Sequence, residues 1–367
     1  MLLKIENCLP KKHANDIDRQ LALSNLLRSH GLGNNIVIAE RQVLIDIIDS
    51  NTYGALDKRY ANEILSMRRE HSPLSKKLSF LVKVDFDDLT TQYINEDGRV
   101  VIKVGYNHFV TPENSGATNL LTENTLDFQF YEILAKYYSL FATPHKLPIK
   151  FREHLGAGSH SKSEFERFTR EGKFVLCIVD SDKKHPKGCE GSTSSAFTKA
   201  DRMHNNMQLA HVLSVREAEC LINTLTLEQV LIDNSSSKID AIDELKELGK
   251  ISPEFRLFFD YKEGLSLKKA IELDNTYGEF WLPRLSSSIR FSTKDCFQDK
   301  RCYNCDECPI VLGFGDNLLK NVVQKLQSYN LHKLSKQIDE YLLEHWTDIG
   351  ELLVSWGCTS GNRPVRS

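Results

Sequence analysis

Along the 367-residue chain, short continuous apolar runs alternate with stretches of helical period, and this alternation sets the expected fold. In residues 1–112 the apolar spacing around 21–29 and 40–49 predicts helices, while 78–86 and 99–110 read as strands. Asn95-Glu-Asp-Gly98 precedes the second of these runs and fits the turn of a β-hairpin. This region is expected to be α+β; it carries no catalytic motif, and Thr111-Pro-Glu-Asn-Ser-Gly116 marks its end.

From residue 117 to about 235, strands and helices take turns. Strands are expected at 118–122, 147–151, 174–179 and 210–215, and helices at 128–140 and 163–171. Alternation of this length implies parallel βαβ units. Ser161-Lys-Ser-Glu164 offers a capping box, Ser161 bonding forward and Glu164 reaching back. After Asn234-Ser-Ser-Ser237 the pattern turns helical and polar; 331–356 is amphipathic and 359–367 is expected to fray. The expected class is α/β, with an α+β region at 1–112, a parallel-sheet core at 113–265 and a mainly helical region at 266–367.

Composition narrows the options. With 41% apolar and 26% charged residues the chain is an ordinary globular protein, and its net charge of −3 argues against a generally basic coat. A local basic groove remains compatible with that balance. No apolar run approaches the roughly 18 residues of a membrane span, so no membrane association is expected. The start, Met1-Leu-Leu-Lys-Ile-Glu-Asn-Cys-Leu-Pro-Lys-Lys12, lacks the apolar core of a signal peptide, and the cytoplasm is the expected compartment. Four of the nine cysteines cluster between Cys296 and Cys308, which in a reducing compartment points to a bound metal rather than disulfides.

The chemistry concentrates in acidic residues. Phe174-Val-Leu-Cys-Ile-Val-Asp-Ser-Asp182 runs six apolar residues directly into Asp180 and Asp182, the pattern of a strand buried on both faces with acids at its carboxyl end. Two acids there repel unless a cation sits between them, and the cation that suits them is Mg²⁺ or Mn²⁺. Glu123 ends the first strand of this block, and Asp127 follows four residues later, one helical turn on. Asp127 alone reads equally well as a helix cap. Glu217 and Glu219 close a further strand. If the first and third strands are neighbours, these acids share one rim, with carboxylate enough for two divalent ions.

Glu123-Asn-Thr-Leu-Asp127, the strand ending in Asp180-Ser-Asp182, and Arg216-Glu-Ala-Glu219 together resemble the TOPRIM fold. The acid four residues after the first Glu is similar to OLD-type nucleases, and the Arg-Glu-x-Glu stretch to stand-alone TOPRIM effectors of bacterial anti-phage systems. Asn124 stands where the family usually has Gly. The resemblance covers roughly 117–265 and implies a Rossmannoid parallel sheet and metal-dependent cleavage of DNA or RNA. It implies that Glu123, Asp180 and Asp182 hold one metal, and Asp127 with Glu217 or Glu219 the second. A lysine would offset charge developing on the phosphate: Lys262 in Asp260-Tyr-Lys-Glu-Gly264, with Lys183 as rival. Such effectors often work beside an ATPase, so 1–112 is expected to be a docking surface for an ATPase partner. A homo-oligomer is equally open.

Lys183-Lys-His-Pro-Lys187 follows the Asp pair and suits a polyanionic substrate, or is simply an exposed charged loop. Gly156-Ala-Gly-Ser159 opens a helix and reads as a tight turn, or as backbone N–H groups offered to an anion; it lacks a P-loop ending, which excludes ATP binding of that type. Cys296, Cys302, Cys305 and Cys308 pack four thiols into 13 residues and suit a structural Zn²⁺; part of a ferredoxin-like iron–sulfur motif and unligated thiols are the alternatives. Two other functions compete. One is a non-catalytic recombination mediator resembling the RecR type, in which the cysteines precede the TOPRIM block rather than follow it. The other is a haloacid-type phosphatase, which needs neither Glu123 nor the second acidic cluster.

Overall fold

The computed structural model describes residues 1–143, 146–203, 207–234, 238–303, 307–336 and 338–361. The chain forms two compact units that interleave in sequence. The first comprises Met1–Cys177, Thr198–His211 and Thr347–Ser367, the second Ile178–Phe197 and Val212–Trp346.

In the first unit, strands β1 (Leu2–Glu6), β2 (Ile36–Ile38), β3 (Phe80–Asp85), β4 (Gln92–Glu96) and β5 (Arg99–Gly105) form a sheet in the order β2-β1-β3-β5-β4. β1 pairs parallel with β2 and β3, β3 pairs parallel with β5, and β4 lies antiparallel to β5. Residues 1–112 are therefore parallel-sheet α/β, not the α+β arrangement expected. The signals missed were weak ones. β2 has three residues, and β1 interrupts its apolar pattern with Lys4 and Glu6, which pair with each other at 2.5 Å while Leu3 and Ile5 are buried. The expected turn does form: Asp97 and Gly98 take φ of 53° and 80°, the left-handed pair that a two-residue hairpin needs, and they join β4 to β5.

The second sheet has the order β7-β6-β8-β9, from β6 (Asn119–Thr122), β7 (Arg152–Leu155), β8 (Val175–Val179) and β9 (Gln208–Val212). β6 runs parallel to both β7 and β8, with Leu121 opposite Cys177. All five residues of β8 are buried, as its apolar run predicts. The strand expected at 147–151 is instead β7, five residues on. Its sequence Arg-Glu-His-Leu is largely exposed, so an edge strand carries no apolar signal to read. Chain order reverses between β6 and β8, which makes the carboxyl end of that pair the switch point of the sheet.

The last turn of the helix Glu340–Gly357 ties both sheets of the first unit together. Trp356 stacks on Phe80 of β3, ring centroids 4.1 Å apart and 5° from parallel. Ser355 Oγ accepts the Ser79 N–H at 3.1 Å, and Thr118 Oγ1, just before β6, donates to the Trp356 carbonyl at 2.7 Å. The Thr118 hydroxyl thereby satisfies a carbonyl of the last helical turn that would otherwise be left over. The tail is not frayed at 359–361 as expected: Thr359 Oγ1 donates to Gly33 O at 2.7 Å and Ser360 Oγ to His30 O at 2.5 Å.

Among its described residues the second unit is mainly helical, with a two-stranded antiparallel ribbon, β10 (Gly264–Ser266) and β11 (Ile310–Leu312). Gly264 has φ +92° and lies so close to the ribbon partner that a Cβ would come within 2.2 Å of Val311 O. Buried Arg256 organises the interior, donating from Nε to Tyr261 Oη at 2.9 Å and from Nη2 to Ile222 O at 3.2 Å. Replacing Trp356 by Ala should lower unfolding free energy by about 3–5 kcal/mol, because a buried indole leaves a large void. Urea titration measures this, and a loss below about 1 kcal/mol would show that the helix terminus does not join the sheets.

Candidate functional site

Beyond β8 the chain is laced to the segment that carries the glutamates. Ser181 Oγ donates to Val215 O at 2.6 Å, and the Asp182 N–H donates to Arg216 O at 2.8 Å. Asp180 Oδ1 accepts the Ala218 N–H at 3.1 Å. Asp182 is exposed and takes φ +54°, a conformation that aspartate tolerates better than most residues. It lies so close to Gly191 that a Cβ there would fall 2.3 Å from its Oδ2, so position 191 has room only for glycine.

Glu217 and Glu219 do not end a strand as expected. β9 stops at Val212, and the two acids flank the start of a 3₁₀ turn at Ala218–Leu221. Both are buried, with 5% and 3% exposure, although an unpaired carboxylate would be expelled from such a place. Their compensation is Lys262, whose Nζ lies 3.1 Å from Glu219 Oε1 and 3.9 Å from Glu217 Oε2. Asp260 holds the segment before Lys262 in place, its Oδ1 accepting the N–H groups of Lys262 at 3.1 Å and Glu263 at 2.8 Å. Asp260 Oδ2 pairs with Arg216, whose Nε is 3.8 Å from Glu217 Oε2. Glu217 also accepts the Tyr261 N–H at 3.3 Å.

Two carboxylates so close and so dry cannot ionise independently. Burial, and then the Glu219 charge, push the Glu217 carboxyl up to about 7 against the pull of Arg216 and Lys262. For Lys262, burial works against the charged form, but Glu219, Glu217 and more weakly Asp180 outweigh it and raise its affinity for the proton. Asp180, Glu217 and Glu219 thus gather hard oxygen donors around the Lys262 ammonium, with the Arg216 guanidinium also beside Glu217. That donor chemistry fits Mg²⁺ or Mn²⁺. Among the described residues, however, no three His, Cys, Asp or Glu side chains form a ready ligand set. The Lys262 ammonium lies beside both glutamates.

Glu123 and Asp127 belong to the first unit. Glu123 follows β6 and is half-buried. Asp127 is buried and completes a capping box: Asn124 Oδ1 accepts the N–H groups of Leu126 at 2.8 Å and Asp127 at 3.0 Å, while Asp127 Oδ2 accepts from Asn124 Nδ2 at 2.8 Å and from its N–H at 3.3 Å. The helix Thr125–Ala142 therefore starts here. The capping box expected at Ser161 and Glu164 does not form. A 3₁₀ turn runs directly into the helix Ser161–Arg170, and Glu164 pairs with Arg167 at 2.8 Å.

The lysine loop is anchored rather than free. His185 is buried, donates through Nε2 to Gly278 O at 3.0 Å, accepts the Lys187 N–H at 3.1 Å and stacks on Tyr277. Trp281 Nε1 donates to Lys184 O at 3.1 Å. Of the cysteine cluster, Cys296 is buried, Cys302 and Cys308 are half-exposed, and Cys305 lies outside the described residues. Cys308 Sγ accepts the Lys268 N–H at 3.4 Å, and none of the eight described cysteines is in a disulfide. Sequence reasoning missed Arg216 and Asp260 as site components. Both were visible as neighbours of Glu217 and Lys262, but nothing in their spacing, 44 residues apart, announced their ion pair.

Comparisons of the chain with protein-family models, with curated proteins and with solved structures return no match.

The raised Glu217 pKa gives a stability prediction with a definite sign. Between pH 4.5, the ordinary value, and about 7, the folded chain keeps a proton that the unfolded chain releases, so stability falls as pH rises through that window. Glu217→Gln should match the parent near pH 4 and exceed it by on the order of 2–3 kcal/mol at pH 8. Urea titrations at the two pH values measure this; parallel curves would mean that Glu217 is not held protonated.

Proposed function

We propose that the chain is a metal-dependent nuclease of TOPRIM type, hydrolysing phosphodiester bonds at the carboxylate site of the second unit. The observation that carries this reading is the pairing of buried Glu217 and Glu219 with Lys262, beside Asp180 on the segment laced to them. Asp180 is the first acid after β8, at the carboxyl end of its strand, which is where open parallel sheets receive ligands. Asp180, Glu217 and Glu219 would hold Mg²⁺ or Mn²⁺, with exposed Asp182 as a further donor. The ion would supply a Lewis acid for the phosphoryl oxygens. Lys262 would place positive charge beside the phosphate as negative charge builds there, and Arg216, fixed by Asp260, would keep Glu217 in position. Asp127 enters this reading as the residue that fixes the helix after Glu123.

Within the same reading, the chain is the effector of an anti-phage system, working with a partner ATPase that docks on residues 1–112. Cys296, Cys302, Cys305 and Cys308 are assigned to a structural Zn²⁺. A second reading, a RecR-like mediator that binds nucleic acid without cutting it, is favoured by the Lys262 ammonium, which already offsets part of the charge of Glu217 and Glu219.

Two measurements decide between them. Incubated with plasmid and with total RNA in Mg²⁺ or Mn²⁺, with and without an ATPase encoded beside it, the parent should cut. Asp180→Ala should cut at least about 100-fold more slowly, the scale on which loss of one charge-stabilising group acts. Thermal unfolding should shift upward with millimolar Mn²⁺ in the parent and not in Glu219→Gln. No cutting under any of these conditions, together with no Mn²⁺ shift, rejects the nuclease in favour of the mediator.

A further inference from the structure

The second unit contains two adjoining cavities, of about 260 and 480 Å³. Four residues line both: Lys184, Arg216, Lys269 and Leu273. A residue common to two adjoining hollows belongs to the saddle between them, and three of these four are cationic. The smaller hollow adds Phe258 and Trp281; the larger adds Tyr277, on which His185 stacks with centroids 5.5 Å apart. Each hollow also has carboxylates, Asp260 and Glu263 in one, Asp182 and Glu190 in the other.

We propose that this double hollow binds single-stranded nucleic acid, one phosphate resting on the Lys184–Arg216–Lys269 saddle and the nucleosides on either side entering the two cavities. The inference rests on the nuclease reading only for its purpose, since it names the form of substrate that site receives. Phosphates alternate with bases along a strand, and here cations stand between two pockets that each offer an aromatic surface. Sequence-tolerant single-strand sites combine these features. The carboxylates repel phosphate from the hollows and confine it to the saddle. They also accept hydrogen bonds from exocyclic amino groups, which a base presents on its pairing edge only when unpaired. A duplex keeps its bases stacked and paired inside the helix and cannot fill either hollow. Arg216 connects the saddle to the acids, bonded to Asp260 and 3.8 Å from Glu217, so a strand held there passes beside the carboxylate site.

The test measures binding apart from cleavage. Full-length Asp180→Ala protein in EDTA is titrated by fluorescence anisotropy with a labelled 12-nucleotide strand, as DNA and as RNA, and with the corresponding duplexes. Single strands should bind at least about tenfold tighter than duplexes. Lys184→Ala/Lys269→Ala, which changes two exposed side chains, should weaken strand binding about tenfold and flatten its salt dependence. Tyr277→Ala should weaken it by a similar factor with the salt slope unchanged. Equal affinity for strand and duplex, or lysine variants that bind like the parent, overturns the proposal. The two readings fail separately. Strand binding by a parent that never cuts removes the nuclease and leaves the groove, while cutting without strand preference removes the groove alone.

Discussion

The Asp180 carboxylate bonded to the Ala218 N–H, with the Ser181 hydroxyl on Val215 O and the Asp182 N–H on Arg216 O, is the constraint from which the site follows. These bonds hold residues 180–182 against residues 215–218, although more than thirty residues separate them in sequence. Backbone groups left over where β8 ends are thereby satisfied, as a buried turn requires. Once the two segments are fixed, Glu217 and Glu219 have no solvated alternative: the turn that buries Ala218 and Leu221 buries them as well.

Burying two carboxylates side by side is unfavourable unless positive charge or a proton comes with them. Both devices operate here. Lys262 supplies the charge, placed by the N–H groups that Asp260 accepts, and Glu217 retains a proton near neutral pH. A fold selected for stability alone would fill this space with apolar side chains. An acidic cluster whose protonation changes near neutral pH marks a candidate functional site.

Parts of this arrangement were legible in the chain. The β8 run has only one reading, because an apolar stretch of that length ending in acids fits a buried parallel strand and little else. The hairpin turn at Asp97-Gly98 was legible from its left-handed preference. Other parts were not. β7 is an exposed edge strand without an apolar face, and β1 alternates charged residues with buried ones. Ser161 and Glu164 carry the letters of a capping box, but the preceding 3₁₀ turn takes over the helix start, while Asp127, which spacing offered as a partner of Glu123 or as a helix cap, completes a capping box with Asn124. Local chemistry was ambiguous at each of these points, and the path of the neighbouring backbone resolved it.

By itself the sequence determined the alternation of strands and helices, the buried strand that delivers Asp180, and the supply of carboxylates around it, because apolar periodicity and residue type act locally. Only the tertiary structure decided that Lys262 rather than Lys183 meets the glutamates, that Arg216 is paired with Asp260, and that Lys184 and Lys269 line the same two cavities. These are contacts between segments far apart in sequence, and their energies depend on distance and burial, which no spacing along the chain encodes.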